Sequence, residues 1–251
     1  MTARLDALRS SVERLAALVR PLGADVRRHA YPTEWTIADV LSHLGSGAVI
    51  MTRNVDDAVA GQSAPDGFNQ SVWDEWNAKS PEDQASDSLS VDAVCVERLE
   101  ALTPEQRGSI QVALGPMQLG FDQIVGMRLN EHLLHEWDIA VALDPSATLA
   151  ADGTEQVVDN LELIGRFAAK PAGSPRTVTV ATTAPSRTFT VTVDAAAASL
   201  SAGAEGTPDI TLPAEAFIRL VYGRLDPDHT PSDVQGDRSA LDGLRAVFPG
   251  I

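Results

Sequence analysis

Two acid–histidine pairs stand on one uninterrupted stretch of this 251-residue chain, Met127-Arg128-Leu129-Asn130-Glu131-His132-Leu133-Leu134-His135-Glu136-Trp137-Asp138. From Glu131 to Asp138, about two helix turns, it holds three acids and two of the chain's five histidines. No turn residue breaks it, and it runs on through Ile139 to Leu143 before Pro145 can end a helix. Residues four apart share a helix face, so Glu131 pairs with His135 and His132 with Glu136. Carboxylate and imidazole are donors that hold a divalent cation.

At about 100° per residue the helical wheel separates the pairs. Ile124, Met127, Leu134, Ile139 and Ala142 surround Glu131 and His135. His132 and Glu136 lie on the other side with Leu129, Leu133 and Ala140, so that side is not cleanly polar. The Glu131/His135 face is apolar for more turns, and a carboxylate and an imidazole there are costly unless paired, hydrogen-bonded or metal-bound. From this helix alone, a buried Glu–His hydrogen bond and a solvated face both stay open beside the metal site.

The elements that must position these groups come next. Leu5, Leu8, Val12, Leu15 and Val19 recur at helical steps, and Pro21-Leu22-Gly23 ends that run. A connector through His29, Ala30, Tyr31 and Pro32 leads to Thr36, a good N-cap with Asp39 three residues on. The helix that follows carries Ile37, Val40, Leu41, Leu44, Ala48, Met51 and Val55 on one side, with His43 at its edge. Gly45 and Gly47 are poor helix formers, but they remove side chains where something can approach closely. A lone histidine at such an edge is more often a boundary residue than a ligand, unless Glu131 and His135 face it across a bundle.

Gly61 to Gly67 reads as a loop, Asn69 to Asn77 as a short helix, and Ser80-Pro81-Glu82-Asp83 as the start of a helix lasting to Leu102. Ser109 to Leu119, broken by Gly115-Pro116, is strand-like or irregular. A further helix is expected over about 152–169, carrying Val157, Leu161, Ile164 and Phe167. Residues 1–170 then form a bundle of four or five helices. Lys170-Pro171-Ala172-Gly173-Ser174-Pro175 is a linker by its turn chemistry. Beyond it, Thr177–Val180 and Thr188–Val193 alternate with period two as half-buried strands do, and Asp209–Leu212 is another short strand. Helices after Pro213 and through Leu241, Leu244 and Val247 complete a small α+β domain over 175–251.

Composition narrows the functions. A net charge of -16 opposes nucleic acid and anionic membranes as partners. No apolar run approaches the roughly 18 residues of a membrane span, and the charged N-terminus lacks a signal-peptide core. One cysteine, Cys95, excludes an internal disulfide and reads as a small buried residue. A cytoplasmic location is the expectation. There is no Gly-rich phosphate loop, and Gly45-Ser46-Gly47 lies inside a helix instead of on a nucleophile elbow.

Trp35-Thr36-Ile37-Ala38-Asp39-Val40-Leu41-Ser42-His43-Leu44, followed by Glu131-His132-Leu133-Leu134-His135-Glu136-Trp137-Asp138, resembles the mycothiol-dependent maleylpyruvate isomerase family. Phe217-Ile218-Arg219-Leu220-Val221-Tyr222-Gly223-Arg224-Leu225, Gly236-Asp237 and Phe248-Pro249-Gly250 are similar to its second domain. The resemblance spans nearly the whole chain. It implies a DinB-like four-helix bundle followed by a small α+β domain of sterol-carrier type.

What the resemblance implies for chemistry is a zinc site on His43, Glu131 and His135, with a fourth position open for water or substrate. His132 matches no ligand position and either supports a ligand from behind or is exposed. Asp138 lies on the ligand face, where it either orients a ligand or pairs with a basic side chain elsewhere. Arg224 is the best match to a family arginine that helps bind thiol or substrate. A zinc-activated thiol, supplied from outside as mycothiol or a similar small molecule, attacks an electrophilic small molecule. Addition to a double bond, rotation and elimination give isomerisation; S-transfer is the other outcome. Two alternatives are a metal-dependent hydrolase using activated water and a non-enzymatic ligand-binding or partner-binding module with a vestigial metal site.

Overall fold

A computed structural model describes residues 2–31, 34–114 and 117–250. The chain divides into two compact units, 1–147 and 148–251. Pro32 of the connector and the break at Gly115-Pro116 lie outside the described residues.

In the first unit, α1 (Ala3–Val19), α2 (Ile37–Ala60), α4 (Pro81–Glu100) and α6 (Phe121–Leu143) form the bundle, and α3 (Phe68–Asn77) packs on α2. The start of α2 is fixed by a complete capping box: Asp39 N donates to Thr36 Oγ1 at 3.1 Å, and Thr36 N donates to Asp39 Oδ2 at 2.8 Å. Its end is Gly61, at φ 66°, where a side chain would be strained. Ser80 caps α4, and Pro81 occupies the first helical position, whose N–H would have no partner in any case. Leu15, Val26, Ile37, Leu41, Leu44 and Ile139 meet in the core.

One detail departs from expectation. Thr103 and Gln106 form a second capping box and start a short helix, α5 (Pro104–Ser109), not anticipated because only six residues follow. The stretch expected to be strand-like holds two short strands, β1 (Val112–Leu114) antiparallel to β2 (Met117–Leu119).

Gly45 is required by packing. A Cβ there would lie 2.3 Å from the indole of the buried Trp76. Alanine would gain helix propensity of about 1 kcal/mol, but a rigid ring in a full core cannot move aside cheaply. Gly45→Ala is therefore expected to destabilise by about 1–3 kcal/mol in urea unfolding.

The second unit begins earlier than the linker suggests. The expected single helix over 152–169 is broken into α7 (Ala151–Val157), a 3-10 turn at 158–160 and α8 (Leu161–Ala168). These helices belong with the C-terminal unit, not the bundle: α8 packs on β5 (Ala198–Ala202), where Gly165 leaves room for Leu200, and both helices pack on α9 (Ala214–Val221). Phe167 is half exposed. The mixed sheet runs β5-β4-β3-β6-β7, with β3 (Arg176–Thr183), β4 (Arg187–Val193), β6 (Ile210–Pro213) and β7 (Gln235–Gly236). Only β3–β6 is parallel, and α10 (Arg238–Val247) is the last helix. Strands β5 and β7 had no clear alternation to announce them. Among the described residues no helix is long and apolar enough to cross a membrane.

Candidate metal centre

The site is assembled from two helices of the first unit. His43 stands two turns into α2, seven residues after its cap, and Glu131 and His135 stand one turn apart near the middle of α6. His43 Nε2 lies 3.0 Å from Glu131 Oε2, and His135 Nε2 lies 3.7 Å from the same oxygen. One donor atom from each of the three residues falls within 4.8 Å of the others. Donors about 2.1 Å from a tetrahedral zinc sit roughly 3.4 Å apart, so the two short distances bracket what one ion needs.

Asp138 continues the set. His135 Nδ1 lies 2.8 Å from Asp138 Oδ2, and Asp138 is fully buried. An ionised carboxylate only accepts hydrogen bonds, so Nδ1 carries a proton and Nε2 is the ring nitrogen that faces Glu131. The contact with His135 is the one that the orienting reading of Asp138 requires. Trp35 flanks both rings, stacked 6.2 Å from His135 at 16° and 5.6 Å from His43.

Electrostatics favour an anionic Glu131. Burial pushes its pKa up, but the hydrogen bond with His43 and the fields of His135, His43 and Arg128 outweigh this and hold it at about 2. The carboxylate is therefore ionised at neutral pH, as cation binding requires.

His132 is elsewhere and is not exposed. It is fully buried, with Nε2 3.2 Å from Asp92 Oδ2 and Nδ1 3.1 Å from Ser11 Oγ. Ser11 donates to Glu136 at 2.5 Å, and Arg14 Nε donates to Glu136 at 2.8 Å. The second acid–histidine pair thus faces α1 and α4, and α6 is buried on both sides, which explains why the wheel found neither side polar. Arg224 lies half-buried in the C-terminal unit and donates Nη1 to the Tyr222 carbonyl at 3.1 Å. Cys95 is buried, which pushes its thiol pKa up and away from nucleophilic use.

A cavity of about 320 Å³ opens beside the triad. His43 and Glu131 stand in its wall with Ile50, Met51, Leu119 and Ile124. Arg128 is in that wall too, and sequence reasoning passed over it. The signal was present: Arg128 is one turn before Glu131, and Gly47, flagged as a place of close approach, is where its guanidinium lies. A Cβ on Gly47 would sit 3.0 Å from Arg128 Nη1.

Comparisons with known proteins agree with this architecture. The mycothiol maleylpyruvate isomerase N-terminal domain matches residues 8–140, and the C-terminal domain of the same family matches residues 148–243. No curated protein matches the sequence. Two crystal structures share the fold, a mycothiol-dependent maleylpyruvate isomerase and a histidine-to-alanine mutant of that enzyme. They are 15% and 14% identical, each with a TM-score of 0.64, covering 89% of this chain and 90% of theirs. The domain match spans more than half of the sequence and both units, and the chain belongs to the mycothiol-dependent maleylpyruvate isomerase family of enzymes.

Proposed function

We propose that this protein is a zinc-dependent thiol S-transferase or isomerase that uses a low-molecular-weight thiol, mycothiol, against an electrophilic small molecule in the cytoplasm. The convergence of His43 Nε2, His135 Nε2 and Glu131 Oε2 carries this reading. Two imidazoles and one carboxylate leave a coordination position open, the pattern of a catalytic zinc. Zinc held there would lower the pKa of an incoming thiol and so supply a nucleophile near neutral pH.

The chain's own residues do the rest. Asp138 keeps the His135 proton on Nδ1, so that Nε2 is free to ligate. Glu131 brings a negative charge that offsets part of a divalent ion's. Ile50, Met51, Leu119 and Ile124 make the adjoining cavity a place for a small apolar body and hold water away from the electrophile. Cys95 is too deeply buried to act, so the thiol comes from solution. Arg224, a residue of the C-terminal unit, remains our candidate for thiol or substrate binding.

Zinc-loaded protein should bind mycothiol in calorimetry and turn over members of a panel of activated alkenes only when thiol is present. Absence of binding to any low-molecular-weight thiol would sink this function. Hydrolysis without thiol would transfer the site to water activation. Within the same reading, Asp138→Asn should weaken zinc binding by about 10–100-fold, read by competition with a chelator, while the fold persists.

A further inference from the structure

The His132/Glu136 pair lies outside the metal centre, yet it belongs to a polar chain that ends at the cavity. Asp92 is 2% exposed and forms a close ion pair with Arg128 Nη2 while also bonding His132. Arg128 Nη2 also donates to the Leu44 carbonyl at 2.8 Å. Behind His132 stand Ser11, Glu136 and Arg14. The guanidinium is thus held on one side by a sequence of hydrogen bonds crossing the bundle from α1.

Its other side is open. Arg128 is 5% exposed, it lines the cavity, and among the described residues Nη1 has no hydrogen-bond partner. Nη1 points to Gly47, itself a cavity residue, where the missing Cβ keeps the approach clear. Nη1 meets the cavity instead of a protein acceptor, and an ion pair serving stability alone needs neither the cavity nor the glycine gap.

We propose that Arg128 is the specificity-determining residue of this cavity, receiving a carboxylate or strongly polarised carbonyl oxygen of the electrophile. This rests on the thiol-transfer reading of the site. The volume, about that of ten water molecules in the liquid, admits a small molecule. Its apolar wall takes a short hydrocarbon body. An anionic oxygen seated at Arg128 leaves the rest of the molecule to extend toward the triad. Arg128 fixes which end enters first. His132, Asp92 and Ser11 are positioning residues that act through it.

The test is binding of crotonate against its neutral isostere crotonamide, by calorimetry, to wild-type protein with and without zinc. Crotonate should bind at least about tenfold tighter to the zinc-loaded protein, the strength of one charge-assisted hydrogen bond. Arg128→Lys should remove most of that preference. Gly47→Ala, which keeps the Arg128–Asp92 pair and pushes only on Nη1, should reduce it as well. The ¹⁵N resonances of Arg128 should move with crotonate and not with crotonamide. Equal binding of the two probes overturns the proposal. So does a preference that survives both substitutions and disappears without zinc, because the carboxylate would then sit on the metal. Protein that takes up no zinc but prefers crotonate through Arg128 would defeat the thiol-transfer function and leave the anion site standing.

Discussion

Alanine in place of His43 or His135 is expected to strip zinc from the purified protein. Losing a support of a ligand lowers affinity about 10–100-fold, and losing the ligand itself costs more, so both variants should emerge metal-free from a column that leaves wild type near one zinc per chain. His43 is 42% exposed at its side chain, so His43→Ala should leave the fold within about 0.5 kcal/mol of wild type. Elemental analysis beside a thermal melt reads both quantities. Zinc retained in both variants would place the metal elsewhere. Protein that never takes up zinc would remove transferase and hydrolase together.

The second large effect concerns stability. Asp92→Ala leaves Arg128 buried without its counter-charge and takes a partner from His132, and breaking a buried pair in this way costs about 3–5 kcal/mol. Urea unfolding should show the loss as a lower midpoint at unchanged slope. The same group shapes the acid limb. Burial pushes the Asp92 pKa up, but Arg128 and His132 more than offset this, and it lies below the ordinary value of 3.8. A carboxylate with a depressed native pKa contributes stability in full above its unfolded value and loses it as pH falls through the native one. Wild type should therefore lose stability below about pH 4, and Asp92→Ala should titrate less steeply there. An acid limb of equal slope in both proteins would show that another carboxylate sets it.

Much of the first unit is legible because its signals are local. Thr36 and Asp39, Ser80 and Pro81, and the steps from Leu5 to Val19 each mark a helix within a few residues. The candidate metal residues needed a second helix before they meant anything. Glu131 and His135 read as a pair from spacing alone, whereas His43 resembled a boundary histidine until α2 was set against α6. Asp138 had two readings, an orienter of a ligand or a partner for a basic side chain, and its place in the sequence separates neither. Arg128 escaped because its role depends on Gly47 and Asp92, 81 and 36 residues away in the sequence. The unit boundary was misplaced for a similar reason. The helical pattern over 152–169 says nothing about which neighbour it covers, and Leu200 against Gly165 decides that. The short strands β5 and β7 are held by neighbours, not by an alternating pattern of their own.

The capping box at Thr36 and Asp39 has an evolutionary consequence. It anchors the first turn of α2, and His43 follows at a set rotation from that anchor. Substitutions between them, at positions such as Ser42, leave the rotation unchanged. Inserting or deleting one residue would turn His43 by about 100° and carry it off the triad. The segment from 36 to 43 is therefore constrained in length as well as at its capping positions, Thr36 and Asp39, and its core positions, Ile37 and Leu41.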